Sequence, residues 1–176
     1  MGKVIIFHGT GANPDVCWYP WLATELTNKG HDVTRPYFPD LNIEPIETFL
    51  PKVLASLDFT PNTILIGHSG GAPLLLSILE NIETKVAKAI LVAGYLTPPN
   101  TAREPILQES YNWEKIRSNA NELIFINSIN DPYGCDDKQG RMLFDRLGGK
   151  LIIMDEGHFG SEFKDYPTFE FLNRLI

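Results

Sequence analysis

Short runs of aliphatic and β-branched residues recur along the chain, and between them the apolar positions repeat with helical spacing. Residues 3–7 form the first run and predict a strand. Helical periodicity follows over 18–28, with Pro20 near its first turn and Gly30 beyond its last. A shorter strand is predicted at 31–35, stopped by Pro36, then a helix at 46–56, a strand at 63–66 and a Leu-rich helix at 72–80. Strands at 86–93, 123–127 and 150–154 complete the set, with helices at 137–147 and 168–175. These strands are nearly continuously apolar rather than alternating, the pattern of a parallel sheet covered on both faces. The expected fold is therefore α/β, a three-layer α/β/α sandwich around a mostly parallel sheet of about six strands. Residues 94–122 lack a strand pattern and contain Pro98-Pro99. They read as a loop with one or two short helices lying over the carboxyl ends of the strands.

Size and charge narrow the function classes. A chain of 176 residues that is 43% hydrophobic fits a single domain, 1–176, with a sizeable core. Acidic side chains outnumber basic ones, 22 to 15, giving a net charge of −7. Nucleic acid and anionic membrane are thereby disfavoured as principal partners, because both select Lys/Arg-rich surfaces. Two cysteines, Cys17 and Cys135, do not make a disulfide framework and read as reduced structural thiols. The apolar run at 4–7 is too short for a secretory leader, and no stretch approaches the roughly 20 residues needed to span a bilayer. A cytoplasmic location is expected.

The chemistry concentrates in Gly67-His68-Ser69-Gly70-Gly71, a G-x-S-x-G segment between a predicted strand and a predicted helix. A serine on such a strand-to-helix turn projects its oxygen from the end of the sheet. Its hydroxyl is a weak nucleophile and needs a histidine base, itself oriented by a carboxylate. The chain supplies candidates in the order Ser, Asp, His. Asp131 follows the strand at 123–127, and His158 follows the strand at 150–154. All three sit just past strand carboxyl ends, where parallel sheets place their ligands. Asp136, Asp137 and Asp155 are rival carboxylates, but the first two suit a helix N-terminus and Asp155 shares the His158 loop.

An acyl-transfer site also needs an oxyanion hole. The Gly70 N–H is one expected donor, and the second should come from the loop after the first strand, His8-Gly9-Thr10-Gly11-Ala12. Thr10 is the provisional choice, with Gly11 left open. Aromatic residues gather near the proposed mouth, and Trp18, Tyr95, Trp113 and Phe159 are the candidate substrate contacts. No G-x-G-x-x-G fingerprint, P-loop, H-E-x-x-H or paired-cysteine motif occurs, so neither a metal nor an organic cofactor is expected.

Trp18-Tyr19-Pro20-Trp21, Ile66 to Gly71, Trp113-Glu114-Lys115-Ile116, Asn130-Asp131-Pro132 and Gly157-His158-Phe159 together resemble the small serine hydrolases that include retinoblastoma-binding protein nine and its bacterial relatives. The resemblance extends over essentially the whole chain. It implies a compact α/β-hydrolase fold without a lid domain, and it assigns the triad to Ser69, Asp131 and His158. The L-x-C-x-E sequence behind the namesake's retinoblastoma-protein connection is absent around both cysteines. The expected substrates are small carboxylic esters with short acyl groups, with amides left open. The competing class is an interaction module on a hydrolase fold with little turnover. In it, residues 94–122, with Tyr95 and Trp113, would dock a protein partner, although no sequence feature indicates one.

Overall fold

All six expected strands form, and they share one sheet. The computed structural model describes residues 2–176. Its elements in chain order are β1 (Lys3–Phe7), α1 (Tyr19–Asn28), β2 (Asp32–Thr34), α2 (Ile46–Ser56), β3 (Ile64–His68) and α3 (Gly71–Asn81). Then follow β4 (Val86–Val92), α4 (Trp113–Ser118), β5 (Ala120–Ser128), α5 (Asp137–Leu147), β6 (Lys150–Met154) and α6 (Glu170–Asn173). The spatial order is β2-β1-β3-β4-β5-β6, and every neighbouring pair is parallel. Burial on both faces explains the unbroken apolar strands: β3 is buried at each of its positions, and Leu65, Ile66, Ile90, Leu91, Phe125 and Ile126 have no exposed surface.

The step from β1 outward to β2 reverses at the step back across β1 to β3. Right-handed crossovers place helices from opposite steps on opposite faces. Accordingly α1 packs with α6, whereas α2, α3, α4 and α5 touch in succession as the other layer. The reversal leaves a crevice at the carboxyl ends of β1 and β3, where the chain departs in two directions.

Other element ends shift by one or two residues, and three departures from the sequence reading are larger. β5 begins at Ala120, ahead of the expected 123, because its polar first turn of strand is paired in register with β4 and Glu122 lies between Lys88 and Lys150 as their shared ion-pair partner. α6 spans 170–173 rather than 168–175. The segment 93–119 does not stay over the carboxyl ends. Its first part rims the crevice. Its second part runs down α3, where Gln108 and Asn112 both donate to Glu80, and forms α4 just before the amino end of β5. Among the described residues no helix is long and apolar enough to cross a membrane.

Candidate active site

The turn after β3 is built around a strained serine. Ser69 has φ +52°, the left-handed region that a side chain disfavours, and its N–H donates to Val92 O at 2.9 Å. Glycines allow the loop after β1 to press against this turn. A methyl added to Gly9 would lie 3.1 Å from Ser69 Cβ, and one on Gly70 would overlap Thr10 Oγ1 and lie 2.9 Å from Leu41 Cδ2. The same added methyl on Gly70 would be 3.2 Å from the Thr10 nitrogen, so the two backbones are in contact. Among the described residues, neither the Thr10 N–H nor the Gly70 N–H is taken by a protein acceptor. Two free backbone donors at the serine turn are the kind of group that can hold an oxyanion. Gly11, the other candidate, has φ +68° and faces open space.

Asp131 and His158 meet although they leave different strands. His158 Nδ1 donates to Asp131 Oδ2 at 2.7 Å, which leaves Nε2 with its lone pair. The second Asp131 oxygen accepts the Tyr133 N–H at 2.9 Å, and the aspartate side chain is fully buried. The loops after β5 and β6 are laced together by Asn130, whose Oδ1 accepts from Ser128 Oγ and from the Gly157 N–H, both at 2.7 Å. The rival carboxylates are occupied elsewhere or exposed. Asp136 caps α5 by accepting from the Lys138 and Gln139 N–H groups, Asp137 lies in the first turn of that helix, and Asp155 is exposed.

Beneath these loops lies a buried histidine that sequence reasoning passed over. His68 Nε2 donates to the His158 carbonyl at 2.7 Å, and its Nδ1 accepts from the Tyr19 hydroxyl at 2.6 Å. The tyrosine oxygen in turn accepts the Gly9 N–H at 3.3 Å. One polar chain thus joins the loop after β1, the serine turn and the His158 loop. Burial, aided by the nearby His158, pushes the pKa of His68 down to about 3, so the ring is neutral and both bonds keep one polarity. His8 is held on both nitrogens as well: Nδ1 donates to Gly9 O at 2.8 Å, and Nε2 accepts the Phe38 N–H at 3.0 Å. No residue type in the G-x-S-x-G motif announces such a bridge, because its partners lie 49 and 90 positions away.

Comparison with known proteins identifies the family. The sequence profile of a family described as serine hydrolase matches residues 4–173. The chain belongs to the serine hydrolase family. Serine hydrolase RBBP9 of Rattus norvegicus is 31% identical over 166 residues, covering 89% of this chain and 87% of that protein. The crystal structure of the ydeN gene product from B. subtilis superposes with a TM-score of 0.89 at 25% identity, over 99% of this chain and 96% of that one. Methylesterase 1 of Arabidopsis thaliana is 27% identical over 151 residues, 80% of this chain but 55% of that relative's length. The fold is that of the α/β-hydrolases.

In this serine hydrolase, Ser69 and His158 open onto a cavity of about 590 Å³, and Thr10, Gly11 and Tyr95 line it too. The other predicted aromatic contacts lie elsewhere. Trp18 is fully buried below the site, its Nε1 donating to Phe159 O at 2.9 Å and its ring set edge-on to Tyr19 and Phe169. Phe159 is fully buried against Phe169. Both are core of the α1 and α6 face, because the chain turns inward directly after His158. Trp113 stands at the start of α4, tilted on Tyr111 with Arg146 over its ring, at the opposite end of the sheet. Its place on the cavity is taken by side chains the sequence did not single out as contacts: Asn42, Glu104 and Cys135. Asn42 Nδ2 donates both to Thr10 Oγ1 at 3.1 Å and to Glu104 Oε2 at 2.6 Å, so it joins the loop after β1 to the cavity's far wall.

Proposed function

We propose that this serine hydrolase cleaves small carboxylic esters through an acyl-serine intermediate, with Ser69 as nucleophile, His158 as base and Asp131 as its orienting carboxylate. The observation that carries this reading is the 2.7 Å bond from His158 Nδ1 to Asp131 Oδ2 at the edge of a cavity that Ser69 shares. It leaves Nε2 as the only basic ring nitrogen, on the side from which a serine proton is taken. His158 removes that proton as Ser69 Oγ attacks the carbonyl carbon. The oxyanion that develops is held by the Gly70 and Thr10 N–H groups, and Asp131 stabilises the imidazolium. The histidine proton then passes to the departing alkoxide. A water molecule, deprotonated by the same ring, attacks the acyl carbon and frees the acid.

The cavity volume of about 590 Å³ is in the range that takes a small organic ester. The methylesterase relative favours esters over amides as the first compounds to try. A fluorophosphonate tests the reading directly by intact mass. One adduct on the wild type and none on Ser69→Ala is the expected result. A folded wild type that takes no adduct would overturn it.

A further inference from the structure

Cys135 lies in the loop between β5 and α5, and 2% of its surface is exposed. The mechanism does not use it. Its Sγ, a carboxylate oxygen of Asp131 and a ring nitrogen of His158 all lie within 4.8 Å of one another. The side chains of Asp131 and His158 are 0% and 7% exposed, and Cys135 and His158 face the cavity that Ser69 lines. One sulfur, one nitrogen and one oxygen donor at the wall of a cavity form a set that a divalent cation can take. Tetrahedral zinc holds such donors roughly 3.3–3.7 Å apart, so a cation would need to draw these in by about an ångström.

The electrostatics point the same way. Burial first, then the carboxylates of Asp131, Glu104 and Asp136, raise the Cys135 thiol above its ordinary range. The negative field that opposes a thiolate there also attracts a cation. Among the described residues no Lys or Arg lines the cavity. A divalent ion bound by one thiolate and one carboxylate leaves the buried cluster uncharged, which removes the desolvation cost of either anion alone.

We propose that Asp131, Cys135 and His158 form a binding site for a borderline-soft divalent cation, with Zn²⁺ as its representative, and that occupancy switches the hydrolase off. The switching half rests on the reading of Ser69 as nucleophile and His158 as base. As the metal–sulfur bond forms, the Cys135 proton leaves for bulk water, and nothing is oxidised or reduced. On His158 the outcome is the same at either nitrogen. At Nε2 the ion occupies the lone pair itself. At Nδ1 it displaces the proton donated to Asp131, and that proton moves to Nε2. In both cases no lone pair remains for the serine proton.

Zinc chloride, cadmium chloride and a fluorophosphonate provide the test. Saturating zinc should slow labelling of Ser69 by about tenfold or more, because a metal-bound ring cannot act as base, and EDTA should restore it. Cadmium should give an ultraviolet thiolate-to-metal band in the wild type and in Cys17→Ser, but not in Cys135→Ser or Cys135→Ala. In the Cys17→Ser chain Cys135 is the one remaining cysteine. Its zinc-edge absorption fine structure should read one sulfur at about 2.3 Å beside nitrogen and oxygen donors, which decides the site even if the Cys135 variants do not fold. A shell without sulfur, a band that survives in both Cys135 variants, or labelling indifferent to zinc would overturn the proposal. A metal-free wild type that takes no label would remove the hydrolytic reading and the switching with it, while the cadmium band would still decide the cation site.

Discussion

Ser69 holds a backbone conformation that costs about 1–3 kcal/mol for a residue with a side chain, and it is not alone. Of the five non-glycine residues with positive φ among the described residues, Cys17, Asn42 and Ser69 line the cavity, and Phe159 directly follows His158. Strain is concentrated where side chains must point into one space. For Ser69 the sequence announces it, through the flanking glycines. For Cys17, Asn42 and Phe159 nothing does, because the tertiary contacts that hold them there come from distant segments. The sequence reading set Asp155 aside because it shares the His158 loop, and in the structure the His158 Nδ1 hydrogen bond goes to Asp131. Asp131→Asn should therefore lower kcat by about 10⁴-fold by favouring the wrong histidine tautomer. Asp155→Asn should leave kcat within about twofold, given its exposed position. Steady-state rates on a nitrophenyl ester distinguish the two, and equal losses would sink the assignment.

Elements were easier to read than their ends. Apolar runs located β1, β3, β4 and β5 because burial on both faces leaves little room for polar residues in the middle of a strand, while β2 and β6, at the edges, carry runs that are partly exposed. The start of β5 was hidden because Ala120, Asn121 and Glu122 lie near the sheet's rim, where charge is tolerated and Glu122 is paired with Lys88 and Lys150. The misplacement of Trp113 has the same origin. Periodicity gives a helix but not the end of the sheet at which it sits, and α4 sits at the amino end. Trp113→Ala should accordingly lower stability by about 1–2 kcal/mol through lost apolar burial, with kcat/KM on small esters unchanged. A urea melt and a rate measurement on the same preparation check this. A raised KM at unchanged stability would return Trp113 to the substrate.

Across the whole molecule, the buried His68 makes stability depend on pH. Its folded pKa of about 3 lies below the ordinary histidine value of 6.5. Between those values the unfolded chain takes up a proton that the folded chain refuses. The stabilisation is complete above about pH 6.5 and is lost as pH falls towards 3. His8 is shifted in the same direction, again by burial. Urea midpoints should therefore drop more steeply between about pH 7 and about pH 4 in the wild type than in His68→Gln, whose amide titrates nowhere in that range. Parallel slopes would show that the acid sensitivity comes from other groups.

The order of the sheet also fixes the order in which the protein can acquire its chemistry. Among the described strands β1 comes first in the chain yet lies inside the sheet between β2 and β3, whereas β6 comes last and lies at the edge beside β5. His158 follows that final strand, so its bond to Asp131 and the His68 bond to its carbonyl cannot exist until the last strand has docked. A nascent or partly refolded chain with β1 to β5 in place already displays Ser69 on its turn, but without a base the hydroxyl is no more reactive than that of free serine. On the proposed reading reactivity requires β6 to be docked, and a molecule without it is chemically silent.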